Sequence, residues 1–188
     1  MNILESQNYL KFSGKDALSF VDSLISNSVK KNNLFFSYLL GPDGKIINWF
    51  VCESQNDEFY IYQEIENLNN LLEIFNKYKI RINCALQIIN EQKFFSIDIT
   101  EDTIAAEEII NTSQTITWKD FELIAQLPSS KIIESGLIPN EVSWLDFFVD
   151  FEKGCFMGQE QTSRIKFRGR PRRLLKTLDS SVQVMEKI

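Results

Sequence analysis

Gly41-Pro42-Asp43-Gly44 separates two runs of β-forming residues, 34–40 and 45–53, and constrains the fold of this 188-residue chain more than any other stretch. Pro presets one turn angle and Gly accepts a positive one, so the two runs are expected to pair as an antiparallel hairpin. Ahead of the hairpin, Tyr9-Leu10-Lys11-Phe12 alternates apolar and polar residues and reads as a short strand. Ser13, with Asp16 three residues on, has capping-box spacing, and Ala17, Leu18, Val21, Leu24 and Ile25 follow at helical intervals. Beyond the hairpin, Phe59 to Tyr62 reads as a strand. Ile65, Leu68, Leu71, Leu72, Phe75 and Tyr78 mark one side of a helix, and 84–89 and 94–99 are strand-like. Glu101 to Ile110 is read as a helix and Thr115 to Leu123 as a strand or sheet edge. The order strand, helix, hairpin, strand, helix, strand defines an α+β class, antiparallel sheets with packed helices.

Hydrophobic residues make up 44% of the chain and charged residues 24%, a balance that fits a folded domain and argues against disorder. The apolar runs are far shorter than the roughly 20 residues of a membrane span. Met1-Asn2-Ile3-Leu4-Glu5 has no basic segment leading into an apolar one, so no secretory signal is expected. Cys52, Cys84 and Cys155 are too widely spaced for a disulfide framework or a paired-cysteine metal motif, which suits a reducing cytoplasm. The chain has no histidine. Ser-His-Asp and Cys-His catalysis are therefore excluded, as are histidine zinc sites. Any chemistry falls to a carboxylate, a thiol, a lysine or a bound cofactor.

The run Lys153-Gly154-Cys155-Phe156-Met157-Gly158-Gln159-Glu160 gathers a thiol, an amide and a carboxylate around two glycines. Glycines permit turns and close approaches that a β-carbon forbids, and a lysine beside a cysteine can raise its thiolate fraction. The alternative is a small buried cysteine that only packs. Residues 153–176 hold eight basic side chains against Glu160 alone, a net of +7, so the rest of the chain carries −13 of the overall −6. Arg164, Lys166, Arg168 and Arg170 alternate with other residues. As a strand they would line one face, either as an anion-binding strip or as a solvated edge.

Lys153 to Glu160 resembles the K-G-C-[FY]-x-G-Q-E signature of the YgfZ-type folate-binding family. These are iron–sulfur cluster assembly and repair factors related to glycine-cleavage aminomethyltransferases. Further stretches resemble the family in the same order: Phe12 to Ala17, Phe20 to Asn27, Leu39 to Lys45, Tyr78 to Arg81 and Pro139-Asn140-Glu141, then Ser163-Arg164, Arg168-Gly169 and Arg172-Arg173. The resemblance implies an aminomethyltransferase N-terminal-like folate-binding fold whose C-terminal β-barrel is largely missing. Three parts are expected: a first α+β subdomain over 1–90, a second, shortened one over 91–152, and the cysteine motif with its basic segment over 153–188. It further implies tetrahydrofolate or a derivative as cofactor, with Cys155 as functional thiol beside Lys153. Glu141, Gln159, Glu160, Asn27, Arg164 and Arg168 are the implied folate contacts. A pterin's amidine edge pairs well with a carboxylate, which makes Glu141 the candidate for it; otherwise Glu141 is a surface carboxylate.

Two departures weigh on function. Where the aminomethyltransferases carry an acidic pair, this hairpin has Asn48 and Trp49, so the reading leans away from an enzyme. The family's Asn-Asp turn is Asn27-Ser28. The leading expectation is a folate-binding accessory protein that supports iron–sulfur enzymes or their assembly machinery through Cys155. Alternatives are a folate-dependent aminomethyl transferase and an RNA- or tRNA-binding module using the basic strip. No membrane partner is expected.

Overall fold

The computed structural model describes residues 2–29, 33–110, 114–178 and 181–188. The chain opens with strand β1 (Asn2–Ser13), then helix α1 (Ala17–Asp22), the hairpin β2 (Phe35–Leu40) and β3 (Ile46–Gln55), β4 (Glu58–Tyr62) and helix α2 (Ile65–Tyr78). Two more strands, β5 (Ala85–Ile99) and β6 (Ile104–Ile109), precede the helices α3 (Trp118–Ile124), α4 (Ser130–Glu134) and α5 (Leu145–Phe148). Helix α6 (Gln159–Arg168) leads to a separate hairpin of β7 (Arg173–Leu178) and β8 (Val182–Lys187). Six strands form one antiparallel sheet in the order β2-β3-β4-β1-β5-β6.

Successive residues of a strand face opposite ways, and in the middle of this sheet both faces are apolar. Leu10, Phe12, Leu39, Phe50 and Phe59 face α1 and α2, where Phe20, Leu68, Leu71 and Phe75 close a first core. Tyr9, Tyr38, Trp49, Tyr62 and Phe95 face the other way, into a second core with Trp118, Phe121, Phe148 and Phe156. Long β1 and β5 pair from Asn2↔Ile97 to Ser13↔Ala85, with a register shift between Ser6 and Asn8. No described helix is long and apolar enough to cross a membrane.

The hairpin, β4 and α2 form where the turn residues and periodicity place them. Other segments differ. The two runs at 84–89 and 94–99 are a single strand, β5. Residues 104–109 form edge strand β6 rather than a helix, because pairing with Phe94 to Ile99 overrides the helical preference of Ala105 and Ala106. Residues 118–124 are helix α3, not a strand: the Thr117 hydroxyl accepts from Asp120 N, and the Asp120 carboxylate accepts from Thr117 N. Ser13 ends β1 instead of capping α1. Asp16 stands at the cap position, and its carboxylate accepts from Asn83 N at 2.9 Å. Residues 159–168 are helix α6, so the four alternating cations do not share one face: a step of two residues turns about 200°, which sends Lys166 away from Arg164 and Arg168, and Arg170 lies beyond the helix.

Candidate functional site

The cysteine motif is a turn fastened to the body at three points. The first is Lys153. Its side chain is 3% exposed, and its ammonium donates to Asp22 O (2.7 Å), Asp22 Oδ1 (3.2 Å), Ile25 O (3.1 Å) and Asn27 O (3.0 Å). Burial lowers the Lys153 pKa, with the Asp22 carboxylate opposing that shift. Asp150 supports the approach to this anchor, accepting from Glu152 N and Lys153 N through Oδ1. The second point is Phe156, buried in the second core, with the Lys153 ammonium 5.5 Å from its ring centroid.

The third is Gly158, with φ +79, at the start of α6. A β-carbon here would lie 2.5 Å from Gly41 O and 2.9 Å from Leu40 Cβ, so only glycine lets the motif seat on the hairpin turn. Gly44 (φ +77) meets it from the other side, where a β-carbon would lie 2.7 Å from Gln161 Cβ. The two glycines of the motif are therefore not equivalent. Gly154 has no positive φ, and nothing lies within 4 Å of where its β-carbon would stand. Between these anchors Cys155 is exposed, whereas Cys52 and Cys84 are buried. The Lys153 ammonium is spent on the carbonyls of the α1–β2 connection and serves to hold the turn.

The other expected site residues divide into two groups. Gln159, Glu160, Arg164 and Arg168 come together on α6, where with Ser163 and Phe167 they line an open groove of about 480 Å³. Asn27 and Glu141 are tied up internally. Asn27 donates from Nδ2 to Phe36 O (2.9 Å) and Phe147 O (2.8 Å), and its Oδ1 accepts from Ser28 N. Glu141 is buried, neither at the surface nor open to a ligand. Oε1 accepts from Arg173 Nε at 2.7 Å, and Oε2 accepts from Arg173 Nη2 at 3.3 Å and Ile138 N at 3.1 Å. A pterin amidine would need those oxygens, so as placed Glu141 does not fit that role. At the hairpin position Trp49 is 1% exposed, packs on Trp118 and Phe121, and donates from Nε1 to Pro128 O at 2.9 Å. The folate contacts that the resemblance names in the interior are thus filled by the protein's own groups.

Sequence reasoning missed Asp22, Asp150 and Arg173 as partners of the site. Asp22 and Arg173 act across 131 and 32 residues of chain, whereas Asp150 lies just three residues before the motif and acts on Glu152 and Lys153. No group of three or more His, Cys, Asp or Glu among the described residues is placed to hold a metal.

The architecture defines an aminomethyltransferase-related α+β fold. The glycine cleavage system aminomethyltransferase T from Bartonella henselae superposes with a TM-score of 0.67 at 13% identity, over 93% of this chain and 65% of that one. Among curated proteins, the chain is similar to the tRNA-modifying protein YgfZ from Klebsiella pneumoniae (strain 342), 34% identical over 82 residues. That match takes in 43% of this chain and 24% of the relative's length. No family model matches. Together these findings give a YgfZ-type, aminomethyltransferase-related fold.

Proposed function

We propose that the protein is an accessory factor of the YgfZ type that supports the assembly or repair of iron–sulfur enzymes, including those that modify tRNA, with the Cys155 thiol as its working group. The observation that carries this reading is the anchored motif. Lys153, Phe156 and Gly158 fasten a turn whose exposed reactive side chain is a cysteine. A thiol held this way reaches a partner protein without either fold opening. As thiolate it can ligate iron, the proton leaving to solvent. Aminomethyl transfer is not part of the proposal, because Asn48 and Trp49 provide no carboxylate at the hairpin. The chain would act in the cytoplasm, where its three cysteines stay reduced.

Cys155→Ser is the test. It should fold with an unchanged melting temperature yet fail to restore the activity of an iron–sulfur enzyme in cells lacking the protein. Full restoration would overturn the reading. No step runs through a folate, which remains an implication of kinship to be measured by titration with tetrahydrofolate. Saturable binding that Arg173→Gln tightens would place the folate at Glu141 with Arg173 displaced; saturable binding that Arg173→Gln leaves unchanged would place it away from Glu141. Absence of binding would remove the folate and leave the thiol proposal standing.

A further inference from the structure

The basic segment is divided by the fold into committed and uncommitted cations. Lys153 pairs with Asp22, Lys166 with Asp146, Arg173 with Glu141 and Lys176 with Glu186. All three lysines are in this group. Arg164, Arg168, Arg170 and Arg172 are exposed, and among the described residues none of the four has an ion pair; Arg164 donates to Gln161 Oε1, a neutral acceptor one turn back. Four uncommitted arginines in nine residues, on a chain that without them carries −10, are an unbalanced field.

Their arrangement is specific. Arg164 and Arg168 stand one turn apart on α6, with β-carbons roughly 6 Å apart. Phe167, 67% exposed, lies beside them; it meets Phe151 edge-on at 5.7 Å, which leaves ring surface open. The chain then leaves the helix extended through Gly169 and carries Arg170 and Arg172 on either side of Pro171. From Arg164 to Arg172 the path spans at most about 20 Å, enough for several nucleotides. Glu160 alone opposes this field in the groove, at the end of α6 nearest the cysteine motif.

We infer that this strip binds RNA in unpaired form. The guanidinium fork matches phosphate oxygens two at a time, a geometry that an ammonium does not offer. An open aromatic ring beside the cations is a platform for an unstacked base, which loops and single strands of RNA present and duplexes do not. An acidic protein would satisfy the arginines but offers Phe167 a ring only where an aromatic side chain falls, whereas every nucleotide of an RNA carries one beside its phosphate. The acidic body, including Glu53, Asp98, Glu107 and Glu108 along the β3, β5 and β6 face, repels phosphate and confines contact to the strip. The inference is independent of the thiol proposal: Cys155→Ser should bind RNA unchanged.

The test is fluorescence anisotropy with the full chain and a labelled 12-nucleotide single-stranded RNA. At about 0.7 counterions released per phosphate, four contacts give a log–log salt slope near −3, a loss of about 50-fold in affinity from roughly 50 to 200 mM salt. The double variant Arg164→Gln/Arg168→Gln should weaken binding and reduce the slope by about 1.4. Phe167→Ala should weaken binding about tenfold and leave the slope alone, the signature of a lost stack. Lys15→Gln/Lys77→Gln, which removes exposed cations elsewhere, should bind like the parent. Thermal melts confirm folding, and these exposed side chains have no ion pairs to lose. Absent binding, equal loss in the lysine control, or an unaffected Phe167→Ala would overturn the assignment. So would polyglutamate of matched charge competing as well as RNA, which would instead point to an acidic protein, or duplex RNA outcompeting the single strand.

Discussion

Replacing Lys153 by Met keeps the length of the side chain and removes the charge that ties the motif to the body. The ammonium gives hydrogen bonds to three backbone carbonyls and one carboxylate oxygen, all between 2.7 and 3.2 Å. Severing a buried ion pair typically costs about 3–5 kcal/mol, because the remaining partner stays charged without water. Here that partner is Asp22, whose side chain is 44% exposed and rehydrates, so its share is small. The carbonyls of Ile25 and Asn27 lose a charged donor, each such bond being worth about 1.5–3 kcal/mol, while the cost of burying an ammonium disappears. The balance falls near the lower bound, about 3 kcal/mol, or about 6–12 °C in melting temperature for a chain of this size. Urea and thermal unfolding of Lys153→Met measure it, with Lys166→Met as control. Lys166 pairs with an exposed aspartate, and such pairs contribute about 1 kcal/mol or less. If the two variants lost the same stability, or Lys153→Met lost less than about 0.5 kcal/mol, the anchoring argument would fail.

Four other outcomes follow from single contacts. Gly158→Ala should cost about 3 kcal/mol or more, since its β-carbon meets backbone oxygen at 2.5 Å with φ positive, whereas Gly154→Ala should change unfolding by less than about 0.5 kcal/mol. Burial, with Glu64 close by, pushes the Glu122 carboxyl up to about 7 from 4.5. The folded chain therefore holds a proton that the unfolded chain releases, giving stability present below pH 4.5 and lost as pH rises through about 7. Glu122→Gln should flatten that profile and be more stable than the parent by about 1–2 kcal/mol at pH 8, allowing for partial exposure; a parallel profile in urea titrations would refute it. Arg173→Gln should cost about 1.5–3 kcal/mol by leaving the buried Glu141 carboxylate without its charged donor, and unfolding curves will show it. Thr117→Ala should lose about 1 kcal/mol through the cap of α3, with no loss if the capping geometry is wrong.

What could be read from the sequence was local. The β2–β3 turn demands Gly and Pro at fixed places, and α2 repeats its apolar residues every three or four positions, so both are written in neighbouring residues. Helix α3 was equally legible, since Thr117 and Asp120 form its cap, but the β-rich Thr115 to Leu123 composition masked that signal. Helix α6 misled for a subtler reason. Charges at every second residue imitate the period of a strand, and Thr162 is the single buried position of the helix, too few for a 3.6-residue pattern to stand out. Its boundaries were present all the same, in Gly158 at the left-handed start and Gly169 at the end.

The site was legible only as a motif, because its partners are mostly carbonyls, and a carbonyl has no letter in the sequence. Lys153 could be seen beside Cys155, and adjacency suggested that it acts on the thiol. The fold instead sends the ammonium inward to Ile25, Asn27 and Asp22, up to 131 residues away, and turns the sulfur outward. These are consequences of one constraint. A turn whose Lys153, Phe156 and Gly158 all meet the body, with Met157 packed against the first core, has Gly154 and Cys155 left to give to solvent. The exposure of the thiol therefore depends on the anchors, and a variant that frees Lys153 or Gly158 should blur the position of Cys155 while leaving its chemistry intact.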